Sequence, residues 1–324
     1  MAGIKDIARQ AGVSVSTVSN VLNGKKNVGE ETREKIYQIC RELGYVHKPK
    51  HSTDEQRDNK NILFVFSEPD RQFYLQIIRG IRDFILDKGY NILISTNENC
   101  ESLMRREWTC GCIVQDIDVK EQLLRQRGAE NYPIVVLDRN IDLPFVKCVV
   151  VNNYAAMCEM VQRIIDCGYR RFAFLGGIEK TEDTQERFIA FRDTLKKNQI
   201  EFLESDYYTG DYREKSGYIA GRMIALREKM PEVVICANDS MAAGVIKALQ
   251  EKEIRVPEDI SVTGFDNTSQ SQTMGLTTVT APNYERGYLA AQALVDNLEG
   301  QRSYETFRIL ARVVWRESVK LKDK

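Results

Sequence analysis

Three short segments at the start of the chain carry apolar residues at the spacing of an amphipathic helix. In the first, residues 4–11, apolar side chains recur at i, i+3, i+4 and i+7, and Gly12 follows. The second begins after Ser14, a good helix N-cap, and the third runs from about residue 31 to residue 43, before Gly44. Three helices with a tight glycine turn between the first two are typical of a helix-turn-helix domain.

The second predicted helix has an apolar face and a polar face. Rotation by about 100° per residue groups Val18, Val21 and Leu22 and turns short polar side chains to the opposite side. Because the start of such a helix reaches base edges in a major groove, we predict base contacts from Val15, Ser16 and Asn20. The expected phosphate contacts are Ser14, Thr17, Ser19, Asn23 and Lys25. A merely solvated helix face would have the same composition, so this pattern alone leaves both interpretations open.

From residue 61 onward, short β-branched or aromatic runs alternate with helical stretches. The runs at 61–66 and 91–95, for example, flank a helical stripe between them. This alternation predicts parallel sheets covered by helices on both faces, and the length suits two such sheets. We therefore expect an all-α headpiece at 1–46, a polar linker at 47–60 and a two-lobed α/β domain at 61–324. The lobes should divide near residue 150 and again near 280–310.

Polar residues follow the predicted strands of this larger domain. Ligands bind beyond the carboxyl ends of the strands in open α/β sheets, so these residues should surround a cleft. Any single one of them is also an ordinary turn or cap residue. The pairs are Ser67-Glu68, Asp138-Arg139, Asn152-Asn153, Asn238-Asp239 and Asp266-Asn267.

Longer strings of the sequence resemble one known family. The strings IKDIARQAGVSVSTVSNVLNG and VGEETREKIYQICRELGY, within the first 45 or so residues, resemble the DNA-binding headpiece of the lactose-repressor (LacI) family. The rest is similar to the effector domain of that family, which has the fold of periplasmic sugar-binding proteins. The strings that carry this similarity are FLGGIEKTEDTQERFIAF, VVICANDSMAAGVIKALQEKEIRVPEDISVTGFDN and RVVWRES.

The resemblance implies roles for particular residues. It implies that Arg187 grips a ligand and that Asp266 accepts hydrogen bonds from ligand hydroxyls or ring N–H groups. Asn238 and Asp138 match further polar contacts, and Phe73 and Tyr74 match aromatic residues that lie against the ligand ring. It also implies a homodimer on a palindromic operator, controlled by a small molecule. We expect a carbohydrate or its phosphate, with a nucleobase or nucleoside as the alternative.

The linker departs from the family pattern. Where members have a hinge helix rich in Ala, Arg and Leu, this chain reads HKPKHSTDEQRDNK, and Asp54 stands where a leucine would wedge into the minor groove. A carboxylate there faces negative potential and offers no apolar surface to offset base unstacking. We therefore expect a flexible tether that bends the operator little. The alternative is a hinge helix that forms from Thr53 onward on DNA.

Charge and apolar content narrow the class of protein. Residues 1–50 hold nine basic and five acidic side chains, whereas the remainder holds 37 basic and 42 acidic ones, so only the N-terminal segment suits a polyanion. No apolar run approaches the roughly 20 residues that span a bilayer, and no secretory signal precedes the first helix. We expect a soluble, cytoplasmic protein with no membrane partner.

Few residues suit catalysis, a cofactor or a metal. The chain has only two histidines, both in the linker, and its eight cysteines form no CxxC pair, so we expect inert thiols and no metal site. No phosphate-binding loop or nucleophile elbow is present, and Gly176-Gly177 alone is far short of a dinucleotide fingerprint. We therefore expect no cofactor and no enzymatic activity. A transport-type binding protein would need a signal peptide and would lack the headpiece.

Overall fold

The computed structural model describes residues 4–22, 28–43, 59–67, 73–143, 146–300 and 306–320. Most of the predicted linker, including Asp54, lies outside these residues, as do Asn23, Lys25 and Glu68. The chain divides into two compact units, Met1–Asp58 and Asn59–Lys324.

The described part of the smaller unit is helical and has its own apolar core. Its helices are α1 (Ile4–Ala11), α2 (Val15–Leu22) and α3 (Glu30–Glu42). Gly12 takes a φ of 73° in the turn between α1 and α2, a left-handed conformation that glycine adopts without steric cost. The core residues lie at the predicted helical spacing: Ile7, Ala8, Ala11, Val18, Val21, Ile36, Ile39 and Cys40. The predicted helix-turn-helix is therefore confirmed, with α3 starting one residue earlier than expected.

The larger unit alternates strands and helices, as the sequence pattern predicts. Its strands are β1 (Asn61–Phe66), β2 (Asn91–Ser95), β3 (Gly111–Gln115), β4 (Ile134–Val136), β5 (Val146–Asn152), β6 (Phe172–Gly176), β7 (Tyr207–Thr209), β8 (Val233–Cys236), β9 (Ser261–Thr263), β10 (Thr278–Thr280), β11 (Phe307–Leu310) and β12 (Arg312–Val314). Its helices are α4 (Phe73–Ile85), α5 (Asn97–Leu103), α6 (Glu121–Ala129), α7 (Asn153–Asp166), α8 (Glu182–Lys197), α9 (Glu214–Ala225), α10 (Asp239–Gln250), α11 (Ser269–Thr273) and α12 (Asn283–Leu298). Within the described residues, none of the helices is both long enough and apolar enough to cross a membrane.

Two parallel sheets form two lobes. The first lobe contains a sheet in the order β11-β5-β4-β3-β1-β2, and the second contains a sheet in the order β7-β6-β8-β9. In the first lobe, α4 and α12 cover one face of the sheet and α5 and α6 the other. In the second lobe, α7 and α8 cover one face and α9 and α10 the other. Helices on both faces of each sheet confirm the predicted α/β class.

The sequence pattern did not predict the pairing of β10 with β12. These short strands form a separate antiparallel pair that packs on α7 in the second lobe. Each has three residues, too few for a recognisable periodicity, and they pair across about 30 residues of intervening chain. The chain passes between the lobes near Asn152, near Ala281 and near Leu310, where β5, β10 and β11 end.

Two glycines allow close packing of α4 against α12. A Cβ added to Gly287 would lie 2.1 Å from the carbonyl oxygen of Ile77, and one added to Gly80 would lie 2.0 Å from that of Tyr284. Both atoms that would clash belong to the backbone, which has little freedom to move away. The first lobe therefore depends on the absence of side chains at these two positions.

We expect Gly287→Ala to lower the free energy of unfolding by about 1–3 kcal/mol, because the added methyl group overpacks the contact. At an exposed position in a helix, by contrast, replacing glycine with alanine raises the free energy of unfolding by up to about 1 kcal/mol. Both tryptophans, Trp108 and Trp315, lie in the larger unit, so urea denaturation followed by tryptophan fluorescence reports on it. Gln292→Ala, at an exposed position of α12, is the control and should change stability little. A neutral or stabilising Gly287→Ala would contradict the packing account.

Candidate functional site

The start of α2 presents a cluster of hydroxyl groups. The Oγ of Ser14 accepts a hydrogen bond from the Thr17 backbone N–H at 3.1 Å, which caps the helix as predicted. The same oxygen lies 2.7 Å from the hydroxyl of Ser16 and 2.8 Å from that of Thr17. Between these residues, the side chain of Val15 is exposed, as single apolar residues on protein surfaces commonly are.

The remaining predicted DNA contacts on this helix are partly exposed. Asn20 and Ser19 lie further along α2, next to the buried Val18 and Val21 that hold the helix to the core. The hydroxyl of Tyr37 in α3 donates to the carbonyl oxygen of Val21 at 3.1 Å, which also fixes α2. The outward face of α2 is therefore rigidly supported. Asn23 and Lys25 lie outside the described residues.

A cavity of about 500 Å³ lies between the two lobes of the larger unit. The first lobe contributes Phe73 and Tyr74, at the start of α4, and Asp138, after β4. The second lobe contributes Arg187 from α8 together with Asn238 and Asp266, which follow β8 and β9. The structure thus brings all six residues of the predicted effector set to one cavity.

Arg187 is buried in the wall of this cavity. Its Nε donates to Asn153 Oδ1 at 2.9 Å, and one terminal nitrogen donates to the carbonyl oxygen of Ala237 at 2.6 Å. The guanidinium lies 3.6 Å from the ring centroid of Phe265, and Asp183 Oδ2 is 3.8 Å from its other nitrogen. These contacts fix the plane of the guanidinium in the cavity wall.

Two carboxyl groups face the cavity from opposite lobes. Asp138 Oδ2 accepts from Arg139 at 3.0 Å, whereas its buried Oδ1 has no hydrogen-bond partner among the residues that the structure describes. Burial raises the pKa of Asp138 to about 7, although the nearby Arg139 opposes this shift. Burial likewise raises the pKa of Asp266 to about 7, opposed by the charge of Arg187. Both groups therefore titrate near neutral pH.

The other three predicted residues differ in their exposure and in the hydrogen bonds that they form within the protein. Asn238 uses its side chain within the protein, since Oδ1 accepts from the Met241 backbone N–H at 2.9 Å and Nδ2 donates to the carbonyl oxygen of Tyr212 at 2.9 Å. The ring of Tyr74 is almost completely buried, and its hydroxyl lies 3.0 Å from that of Ser67. Phe73 is more exposed and packs against Tyr74, with 4.2 Å between the ring centroids. Phe73 is thus the more accessible aromatic surface.

The expectation that whole polar pairs surround the cleft is wrong for most pairs. Ser67, Asp138, Asn238 and Asp266 line the cavity, but their described neighbours do not. The chain turns at these positions, since Asp239 begins α10 and Asp266 and Asn267 have φ angles of 110° and 53°. Neither member of Asn152-Asn153 lines the cavity. The described pair members that do not line the cavity form hydrogen bonds within the protein instead. These bonds join Arg139 to Asp116, Asn152 to Ala155, Asn153 to Arg187, Asp239 to Thr278, and Asn267 to Arg316.

Arg286 also lines the cavity, although it is not among the residues predicted from the sequence. Its terminal nitrogens donate to Asn283 Oδ1, Gln115 Oε1 and the carbonyl oxygen of Leu137 at 2.7–2.9 Å, all of which are neutral acceptors. Its buried Nε has no partner within the described ranges. A signal was present in the sequence, because Arg286 shares the buried face of α12 with residues four and eight positions later, Ala290 and Leu294. A charged residue on a buried helix face is a candidate for a site.

The cysteines are free thiols, as expected. Six of the eight are buried, and Cys110 and Cys158 are partly exposed. Burial raises the pKa of Cys110 to about 11, so it remains a thiol at neutral pH.

A helix-turn-helix unit and a two-lobed α/β unit with a polar cavity between its lobes together define a ligand-sensing DNA-binding regulator. The family model for "Bacterial regulatory proteins, lacI family" matches residues 3–48, and that for "Periplasmic binding protein-like domain" matches residues 161–319. The chain thus joins a lacI-family DNA-binding domain to a periplasmic-binding-protein-like domain. It is a DNA-binding transcriptional regulator with an effector-binding domain, and its relatives are transcriptional repressors rather than enzymes.

Relatives of known function match over nearly the whole chain. The "HTH-type transcriptional repressor PurR" of Pectobacterium carotovorum is 28% identical over 313 residues, which cover 93% of this chain and 92% of that protein. The "Ribose operon repressor" of Haemophilus influenzae is 26% identical over 330 residues, covering 98% and 99%. The solved structure "transcriptional regulator CelR-cellobiose complex" superposes with a TM-score of 0.73 at 27% identity, covering 98% of this chain and all of that one.

We expect Asp138→Asn to stabilise the protein at pH 8 and to have little effect near pH 4. The pKa of Asp138 is raised in the folded state, so the stability that its protonated form contributes is present below the ordinary pKa and is lost as the pH rises through about 7. The gain at pH 8 should be on the order of 2–4 kcal/mol, given that one pKa unit corresponds to about 1.4 kcal/mol. Urea denaturation at several pH values measures it. Asp142→Asn, at an exposed position in the same loop, is the control, and a pH-independent difference would contradict this account.

Proposed function

We propose that this chain is a cytoplasmic transcriptional repressor that binds a palindromic operator as a homodimer. Its operator affinity is controlled by a small polyhydroxylated ligand, a sugar or sugar derivative, bound between the two lobes. Its domains are the headpiece at 1–46, the tether at 47–60 and the effector-binding domain at 61–324. Related repressors support the assignment, since the lactose repressor was solved as a "dimer bound to operator".

The chemistry of the cavity wall favours a sugar or sugar derivative as the ligand. Arg187 offers hydrogen-bond donors from the second lobe, while Asp138 and Asp266 offer acceptors from both lobes. Hydroxyl groups donate and accept, so a polyol satisfies buried groups of both kinds at once. The exposed part of Phe73 provides an apolar surface for the C–H face of a sugar ring. Asn238, whose amide already has partners, is the least important of the six.

A nucleobase is the second candidate, and one observation favours it. The partly exposed ring of Phe73, which packs against the buried ring of Tyr74, provides an aromatic surface on which a planar base would stack. Stacking on both faces of a base would need an opposite flat wall, and the side chains from the second lobe that line the cavity are mostly polar or charged. The cavity therefore suits a sugar better.

Binding at this site is coupled to DNA binding through the lobes. A ligand that contacts Asp138 on one lobe and Arg187 on the other favours a particular angle between the lobes. In a dimer this angle sets the spacing of the two headpieces, and hence how well they fit two half-sites one helical turn apart. The coupling is reciprocal, so the operator changes ligand affinity by the same factor as the ligand changes operator affinity.

We expect Asn20→Ala to change which bases the protein prefers, because a lost base contact costs about 1–3 kcal/mol of discrimination at one position. Selection from a random DNA library with the full chain, followed by sequencing, measures the preferred site. Gln10→Ala, at an exposed position of α1, is the control and should return the wild-type site. If Asn20→Ala also returns the wild-type site, Asn20 does not read bases.

We expect a sugar to raise the melting temperature in a thermal-shift screen of ribose, glucose, cellobiose, sugar phosphates, nucleobases and nucleosides. At 100 times its dissociation constant, a true effector contributes about 2.7 kcal/mol. Arg187→Ala and Asp266→Ala should each abolish this shift and the response of the selected DNA site, while leaving DNA binding intact. Arg192→Ala, at an exposed position of α8, is the control. Tight ligand binding by Arg187→Ala would refute the assignment of the site.

A further inference from the structure

Two contacts cross from one lobe to the other at the edge of the cavity. Asp118 and Asn140 belong to loops of the first lobe, after β3 and β4, whereas Lys180 and Glu182 lie at the start of α8 in the second lobe. Asp118 pairs with Lys180, and Asn140 pairs with Glu182. We call these four residues the rim clasp. Asp118 itself lines the cavity, so the clasp lies at its edge and not on a distant surface.

The contact between Asn140 and Glu182 uses both carboxylate oxygens. The backbone N–H of Asn140 donates to Glu182 Oε2 at 2.6 Å, and the side-chain amide of Asn140 donates to Oε1. Hydrogen bonds to a charged acceptor are stronger than those between neutral groups, and two in parallel fix the geometry. Because one donor is a backbone N–H, the contact reports directly on the position of the loop after β4.

The contact between Lys180 and Asp118 is an ion pair. The Nζ of Lys180 lies 2.5 Å from Asp118 Oδ1, and more than half of each side chain is exposed. An exposed pair of this kind contributes little alone and is weakened by salt. It acts beside the Asn140–Glu182 contact, so the two contacts restrain the same movement.

Both sides of the clasp are held in place by neighbouring residues. In the first lobe, Arg139 donates to the carbonyl oxygens of Asp116 and Val119 at 3.0 and 2.6 Å, which ties together the two loops that carry Asp118 and Asn140. In the second lobe, Lys180 and Glu182 flank Thr181. The Oγ1 of Thr181 caps α8 by accepting from the Thr184 backbone N–H at 3.3 Å. The clasp therefore joins two preformed surfaces.

We propose that the rim clasp stabilises the closed arrangement of the two lobes and so regulates access to the cavity. This inference rests on the proposed function of the cavity as the effector site. Helix α8 begins at Glu182 and carries Arg187 little more than one turn later, so release of the clasp frees the segment that positions the main ligand-binding group. The effector enters the cavity when the clasp opens. Once the effector is bound, the lobes close again and the clasp re-forms.

The test measures hydrogen exchange of the Asn140 backbone amide in the full chain without any ligand. Glu182→Ala should lower the protection of this amide by at least about tenfold, the effect of losing one hydrogen bond to a charged group. It should also increase the radius of gyration measured by small-angle X-ray scattering, since the lobes separate. Glu179→Ala, at an exposed position in the same loop, is the control and should change neither quantity.

A charge exchange tests the second contact of the clasp. Asp118→Lys and Lys180→Asp should each lower the protection of the Asn140 amide, and the double variant should restore it, because the ion pair is rebuilt with reversed polarity. The proposal is overturned if Glu182→Ala leaves protection or radius unchanged, or if the double variant is as unprotected as the single ones. Because these experiments use no effector, such a failure would not bear on the proposed ligand site, which the thermal-shift screen tests separately.

Discussion

The buried guanidinium of Arg187 joins the elements on which the cavity depends. Its hydrogen bonds reach Asn153, where the chain passes from β5 into the second lobe, and Ala237, at the end of β8. Its flat face covers Phe265, the residue before Asp266. Asn153 also donates to Glu186, which accepts from Arg308 of β11 at 2.9 Å. Burying a charge is costly unless it is hydrogen-bonded, so this network fixes Arg187 relative to the crossing points between the lobes.

The same cavity contains charged groups that the protein leaves incompletely paired. The buried guanidinium of Arg286 donates its hydrogen bonds to neutral acceptors. One carboxylate oxygen of Asp138 has no hydrogen-bond partner in the described part of the chain. The pKa values of Asp138 and Asp266 are both raised to about 7. These features reduce the stability of the empty protein and are typical of binding sites, where the ligand supplies the missing partners. We therefore propose that a ligand rich in hydroxyl groups stabilises the cavity most.

Sequence predicts the parts of this structure that depend on local periodicity. The helices around Gly12, the alternating strands and helices, and the residues at strand ends follow from spacing and from the rule that parallel strands end at one edge. Features that depend on contacts between distant parts of the chain cannot be predicted from local periodicity. Arg286 lies about 150 residues from Leu137, to which it bonds, and the rim clasp pairs residues 42 and 62 positions apart. Which residue of each strand-end pair faces the cavity also depends on the local turn, as the capping role of Asn152 shows.

We propose that occupancy of the cavity and operator binding form one coupled equilibrium. The most direct measurement is the affinity of the full chain for its selected DNA site, by fluorescence anisotropy, with and without the sugar that stabilises it. Calorimetry then gives the affinity for that sugar with and without the DNA. We expect both affinities to change by the same factor, typically about 5- to 150-fold. A sugar that binds the cavity and leaves the affinity for DNA unchanged would contradict this proposal.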